Sequence, residues 1–125
     1  MRTEHDYRRL IESGLRGDTR YTPDDIIKGI MERNFFLFEE TEGIVICQII
    51  RTRDVRLFVF LVSGRDFNKW GERVLPKLNQ FATDQGCSCI EFYARPGLAR
   101  LLKNMGANVE HVILRMRDGL DRSRA

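Results

Sequence analysis

Two short apolar runs, Leu57–Val62 and Cys87–Tyr93, bracket a segment whose apolar residues repeat with a helical period. A run that is apolar at nearly every position has no polar face, so a strand built from it is expected to be covered on both sides. Between the runs, Trp70, Val74, Leu78 and Phe81 are spaced four, four and three, which places them along one side of a helix over about Asp66–Asp84. Strand, amphipathic helix and strand at this spacing form a crossover unit, which joins parallel strands. Pro76 falls inside the helical segment, so a kink there or a start later than Asp66 is expected. Gly86 is well placed to end the helix.

The rest of the chain extends this unit in both directions. Tyr7, Leu10, Ile11 and Leu15 predict a helix over Glu4–Gly14, with Gly14 and Gly17 marking its end. Thr22 is an N-cap, Pro23 suits the first helical position, and Asp24 and Asp25 complement the positive end of the dipole. Ile26, Ile27, Ile30 and Met31 give that second helix its apolar face until it fades near Asn34. Phe35–Glu39, Ile44–Ile50 and Leu57–Val62, separated by turns at 40–43 and 51–54, read as an antiparallel three-strand meander. After the crossover, Leu98–Met105 predicts a short helix stopped by Gly106, and Val109–Met116 a last strand. Residues 1–118 thus form one α/β (α+β) domain, and 119–125 a polar tail expected to be disordered.

Composition excludes several function classes. With 42% apolar and 31% charged residues the chain is an ordinary globular sequence, and no apolar run approaches the ~18–20 residues that span a bilayer. The polar start, Met1–Asp6, does not resemble a secretory signal, so the expected location is the cytoplasm. Cys47, Cys87 and Cys89 lack the paired spacing of a zinc site and read as reduced thiols. A net charge of +3 is too mild to argue for nucleic acid. His5 and His111 have no neighbours that imply a triad or a metal site.

The stretch from residue 81 to 118 carries a more specific pattern. Trp70 lies on a helix that runs through Ala82 to Gly86-Cys87. A strand with Ile90-Glu91 follows, then Arg95 and Gly97, an apolar helix and a closing Gly106. In element order and in these residues, 22–118 resembles the GNAT superfamily of N-acetyltransferases. It is similar above all to small GNAT-like proteins encoded in bacteriophage genomes near head, portal or tail genes. The resemblance implies a mixed central sheet, with the meander followed by β-α-β-α-β and helices on both faces, and a site for acetyl-CoA.

Two tests of that site follow from the resemblance. The family's pyrophosphate loop matches Arg65–Trp70 here, which makes Gly64, Arg65, Asn68 and Lys69 the candidate cofactor contacts. Asn68 stands where the family has its first glycine and Trp70 where it has a small residue. The indole is therefore expected to obstruct the phosphates, or else simply to pack in the core, and Asp66 adds a negative charge. Anchored on Gly106, the family's proton-donating tyrosine falls on Leu102, with Arg95, Leu98, Leu101 and Ala107 at the flanking motif positions. Leucine donates no proton. Tyr93 and Glu91 are the remaining catalytic candidates. Glu91 on a covered strand needs a partner such as Arg95 or Arg100.

Arg51, Arg53 and Arg56 cluster at the second turn and are candidate interface residues for an acidic surface or, less favoured, for nucleic acid. The aromatic run Phe35, Phe36 and Phe38 suits either a core or a contact surface. Weighed together, these features favour a GNAT-like phage accessory or structural protein. It would act through protein contacts in virion assembly, in host cytoplasm or associated with the virion. An N-acetyltransferase with an atypical site, using Tyr93 or water as the acid, is the alternative, and a nucleic-acid or host-factor binder is the weaker one.

Overall fold

A computed structural model describes residues 1–18 and 20–114. The elements in chain order are α1 (Glu4–Gly14), α2 (Pro23–Met31), β1 (Phe36–Glu39), β2 (Gly43–Arg51), β3 (Val55–Gly64), α3 (Phe67–Asp84), β4 (Cys89–Phe92) and α4 (Pro96–Asn104). They build a four-stranded mixed sheet in the order β1-β2-β3-β4. The first three strands are an antiparallel meander, and β4 joins β3 in parallel through the α3 crossover. Among the described residues no helix is long and apolar enough to cross a membrane.

Period-two alternation along β2 divides the core into two layers. Val45 and Cys47 face one side with Leu57 and Val59, where Trp70, Val74, Leu78, Ala82 and Leu102 of α3 and α4 cover them. Ile44 and Ile46 face the other side with Phe60 and Leu61, covered by Ile11, Leu15 and Ile26 from the first two helices and the turn after α1. The aromatic run is core: Phe35 stacks edge-on against Phe60 and Tyr21, and Phe36 and Phe38 pack on Phe81.

Local chemistry sets most boundaries. Thr22 caps α2 through a reciprocal pair with Asp25, and Thr3 and Asp6 do the same for α1, each pair satisfying two otherwise orphaned amides. The long helix starts one residue later than Asp66 and is continuous through Pro76. Pro76 is exposed, so water can satisfy the carbonyl left without its partner, while the buried stripe holds the helix on either side.

Two expectations are corrected. Residues 109–114, part of the predicted last strand, carry no regular secondary structure and are exposed. Apolar β-branched residues fit a strand, but a strand exists only against a partner, and among the described residues none pairs with them. Residues 115 and 116, and the predicted tail 119–125, lie outside the described residues. The second correction concerns β4: it is an edge strand only four residues long, so its faces are half-buried rather than covered.

Candidate functional site

The pairing of β3 with β4 stops at Val59 and Phe92, although β3 continues to Gly64. A last backbone bond runs from the Tyr93 N–H to the Val59 carbonyl at 2.8 Å. At this point β3 also changes register against β2: Ile46 faces Leu61 and Cys47 faces Val59, leaving Phe60 as an extra residue. Such a bulge bends the strand that carries it and ends regular pairing. Beyond it the two parallel strands part. Among the described residues the β3 edge from Phe60 to Gly64 has no strand on the β4 side.

The gap is a cleft of about 640 Å3. Phe60, Leu61 and Val62 of β3, Phe67 of α3, and Leu98 and Leu101 of α4 form its apolar walls. Gly14, Gly17, Gly64 and Gly97 also line it, a Cβ at Gly17 or Gly97 meeting nothing within 4 Å, and Arg16, Asp18, Tyr93 and Arg95 bring the polar groups. Arg95 ties the walls together, its Nη2 donating to the carbonyls of Gly14, at 3.0 Å, and Arg16. The guanidinium of Arg20 lies 4.0 Å over the Tyr93 ring and is held by Asp18, whose carboxylate keeps Arg20 firmly protonated.

At one rim of the cleft stands the start of α3. Gly64 has φ +138°, and an added Cβ would come within 2.5 Å of the Glu42 carbonyl oxygen, so only glycine fits. Asp66 follows in the left-handed region with φ 59° and supplies no side-chain cap. The first turn of α3 thus lacks the reciprocal side-chain cap that α1 and α2 carry; the Lys69 N–H turns back to the Asp66 carbonyl at 2.8 Å, and the Phe67 and Asn68 amides ahead of it are the ones an outside acceptor could reach.

Trp70 is not in this opening. Its ring is fully buried, its Nε1–H donates to the Arg65 carbonyl at 3.0 Å, and it meets Phe67 edge-on with centroids 4.7 Å apart. The expectation that the indole blocks phosphates at the helix start is therefore overturned. One helical residue past Lys69, the side chain points under the turn into the sheet, and the core-packing alternative holds.

The remaining predicted residues separate into groups. Gly64 and Tyr93 border the cleft; Arg65, Asn68 and Lys69 are exposed around the same helix start without lining it. Glu91 lies away from it and pairs with Arg56 at 3.3 Å, not with Arg95 or Arg100. The parallel register explains this, because Glu91 sits opposite Phe58 and Arg56 is two residues along the same face. Arg56 is half-buried on β3, whereas Arg51 and Arg53 are exposed at the turn, at the opposite end of β3 from the cleft. Leu102 is a core residue, while Leu98 and Leu101 face the cleft. His5 and His111 are exposed, and among the described residues no group of three metal-binding side chains comes together. Sequence reasoning missed Arg16, Asp18 and Arg20 and the role of Gly14 and Gly17. Their only signal was a glycine-rich end to α1.

No family model matches the sequence, and no curated protein matches it. Solved structures do. A transcriptional regulator from Bacillus halodurans superposes with a TM-score of 0.64 at 18% identity, over 93% of this chain and 95% of its own. A wild-type protein of Thermus thermophilus gives 0.60 at 22% identity, over 94% and 96%. An acetyltransferase from Trypanosoma brucei gives 0.60 at 11% identity, over 92% and 94%. The fold is GNAT-like. At these identities a GNAT-like fold is what is shared. A regulator and an acetyltransferase both wear it, so function rests on the site of this chain.

Proposed function

We propose that this GNAT-like protein binds an acyl-CoA in the cleft and transfers its acyl group to an amine. The parting of β3 and β4 beyond Val59 and Phe92, with Trp70 turned away from the gap, carries this reading. The unpaired β3 edge offers N–H and C=O groups to an amide-bearing arm. The uncapped start of α3, with Gly64 leaving bare main chain and Arg65 and Lys69 close by, suits a diphosphate. The bound thioester supplies the electrophilic carbonyl. Attack by the amine forms the C–N bond and breaks the C–S bond; the amine loses a proton and the thiolate gains one. Tyr93 is the phenol on the cleft wall and is assigned the proton for the thiolate. Much of the acceleration comes from holding amine and thioester together.

Calorimetry with acetyl-CoA tests the binding step, and thiol release with a panel of amines and polyamines tests transfer. Binding with no release from any acceptor would remove transfer and keep the cofactor site.

A second reading is an accessory protein of a phage, acting through protein contacts in virion assembly. The leucines at 98 and 101 on the cleft wall and the exposed Val109–Leu114 segment favour it. Failure of acetyl-CoA to bind, together with co-purification with head or tail proteins, would select it.

A further inference from the structure

The outer edge of β4 has no strand beside it among the described residues, because β4 pairs with β3 alone and ends the sheet. An open edge presents backbone N–H and C=O groups to any suitable extended chain. Along it runs a groove of about 370 Å3, walled by Leu75 and Thr83 of α3, Ile90 and Phe92 of β4, Leu102 of α4 and Met105 just after it. This groove is separate from the cleft between β3 and β4.

Just past α4, Val109, Val112, Ile113 and Leu114 are 57%, 72%, 66% and 85% exposed. A cluster of large apolar side chains left in water marks a contact surface. Three of the four are β-branched, which suits an added strand. The segment begins at the groove, since Ala107 borders it and donates its N–H to the Leu102 carbonyl at 2.9 Å. In a single copy it then runs off into solvent instead of along β4.

We propose that the occupant of this edge is the Val109–Leu114 segment of a second copy of this chain. The exchange is reciprocal, each copy adding a strand to the other's β4. A groove of mixed polar and apolar lining beside an open backbone edge takes an extended segment with apolar side chains, and this chain carries one next to its own groove, without a strand partner among the described residues. A two-fold arrangement covers both segments and both edges at once, as in the commonest class of soluble oligomer. Six extended residues span about 20 Å, ample for the four residues of β4. The proposal does not depend on acyl transfer.

Light scattering on the full chain tests it, with an expected mass of twice 14.7 kDa. Amides of 109–114 should become protected from hydrogen exchange as the dimer forms. Val112→Asp combined with Ile113→Asp should give a monomer with an unchanged helical circular-dichroism signal, because both side chains are exposed in one copy. If the double variant loses that signal, Leu114→Lys alone serves in its place. A native chain that stays monomeric at every concentration overturns the proposal, even when its own segment folds back onto β4 and is protected. A dimer that survives the substitutions overturns it too, by placing the interface elsewhere.

Discussion

The indole N–H of Trp70 is donated to the carbonyl oxygen of Arg65 at 3.0 Å, which folds the ring back beneath the first turn of α3. That bond and the buried ring make Trp70 a keystone between α3 and the sheet. Trp70→Ala should cost about 3–5 kcal/mol of stability, read from the urea midpoint. Trp70→Gly should bring no gain in acetyl-CoA affinity. A folded Trp70→Gly chain that binds acetyl-CoA more tightly would show the ring to be an obstruction after all.

Gly43 lies against the same ring. A Cβ there would come within 2.3 Å of the Ser63 carbonyl oxygen and 2.6 Å of Trp70 Cζ2. Backbone cannot yield as a flexible side chain does, so Gly43→Ala should destabilise by about 1–3 kcal/mol. Gly97→Ala is the control, since a Cβ at Gly97 meets nothing within 4 Å and the position is helical. That change should be neutral or stabilise by roughly 0.5 kcal/mol. Chemical denaturation of the two variants side by side checks the pair.

Arg95 reaches back from the start of α4 to one carbonyl at the end of α1 and one in the loop after it, which together form one wall of the cleft. Arg95→Ala removes an exposed charge-assisted tether worth about 1 kcal/mol. The expected result is weaker acetyl-CoA binding with a melting temperature lowered by only about 3–5 °C. Equal affinity in the variant would show that the loop is held by other contacts.

Acid should destabilise the protein in part through four carboxylates, Asp6, Asp25, Glu40 and Glu42, the last held below its ordinary value by its bond to Arg73. The backbone N–H and then the hydroxyl of Thr3 hold Asp6 below its ordinary value of 3.8; Thr22 does the same for Asp25. Lys77, then Arg73, holds Glu40 below 4.5. Each group binds its proton more readily in the unfolded chain, so its contribution is complete above those ordinary values. It is lost as pH falls through the lowered folded values. Midpoints measured across the acid range should show this slope, and Asp25→Asn should flatten it.

Cysteine reactivity should divide by burial. Desolvation pushes the Cys47 thiol up to about 12 from 9.0, whereas Cys89 is exposed. At mildly alkaline pH an alkylating reagent should modify Cys89 in the folded protein and reach Cys47 only on unfolding. Because the folded value is the raised one, the stabilisation is complete below 9.0 and is lost as pH rises toward 12. Mass spectrometry of the labelled chain, folded and in denaturant, gives the answer.

Residues close in sequence determined the helices, the meander and the crossover. Thr22, Pro23 and Asp25 start α2 through contacts within three positions, and the 70–74–78 stripe chooses the buried side of α3 without outside help. Such features depend on neighbours one to four residues away, and so they can be read in one dimension. What stood against what was decided only by tertiary structure. The parallel register gave Glu91 to Arg56, the extra Phe60 in β3 opened the cleft, and packing laid Arg20 over Tyr93. It also turned Trp70 inward and, among the described residues, gave Val109–Leu114 no strand partner, although the local pattern of 109–114 suits a strand. Propensity is a property of the residues in a segment; pairing is a property of two segments and the geometry between them, which no single stretch of sequence contains.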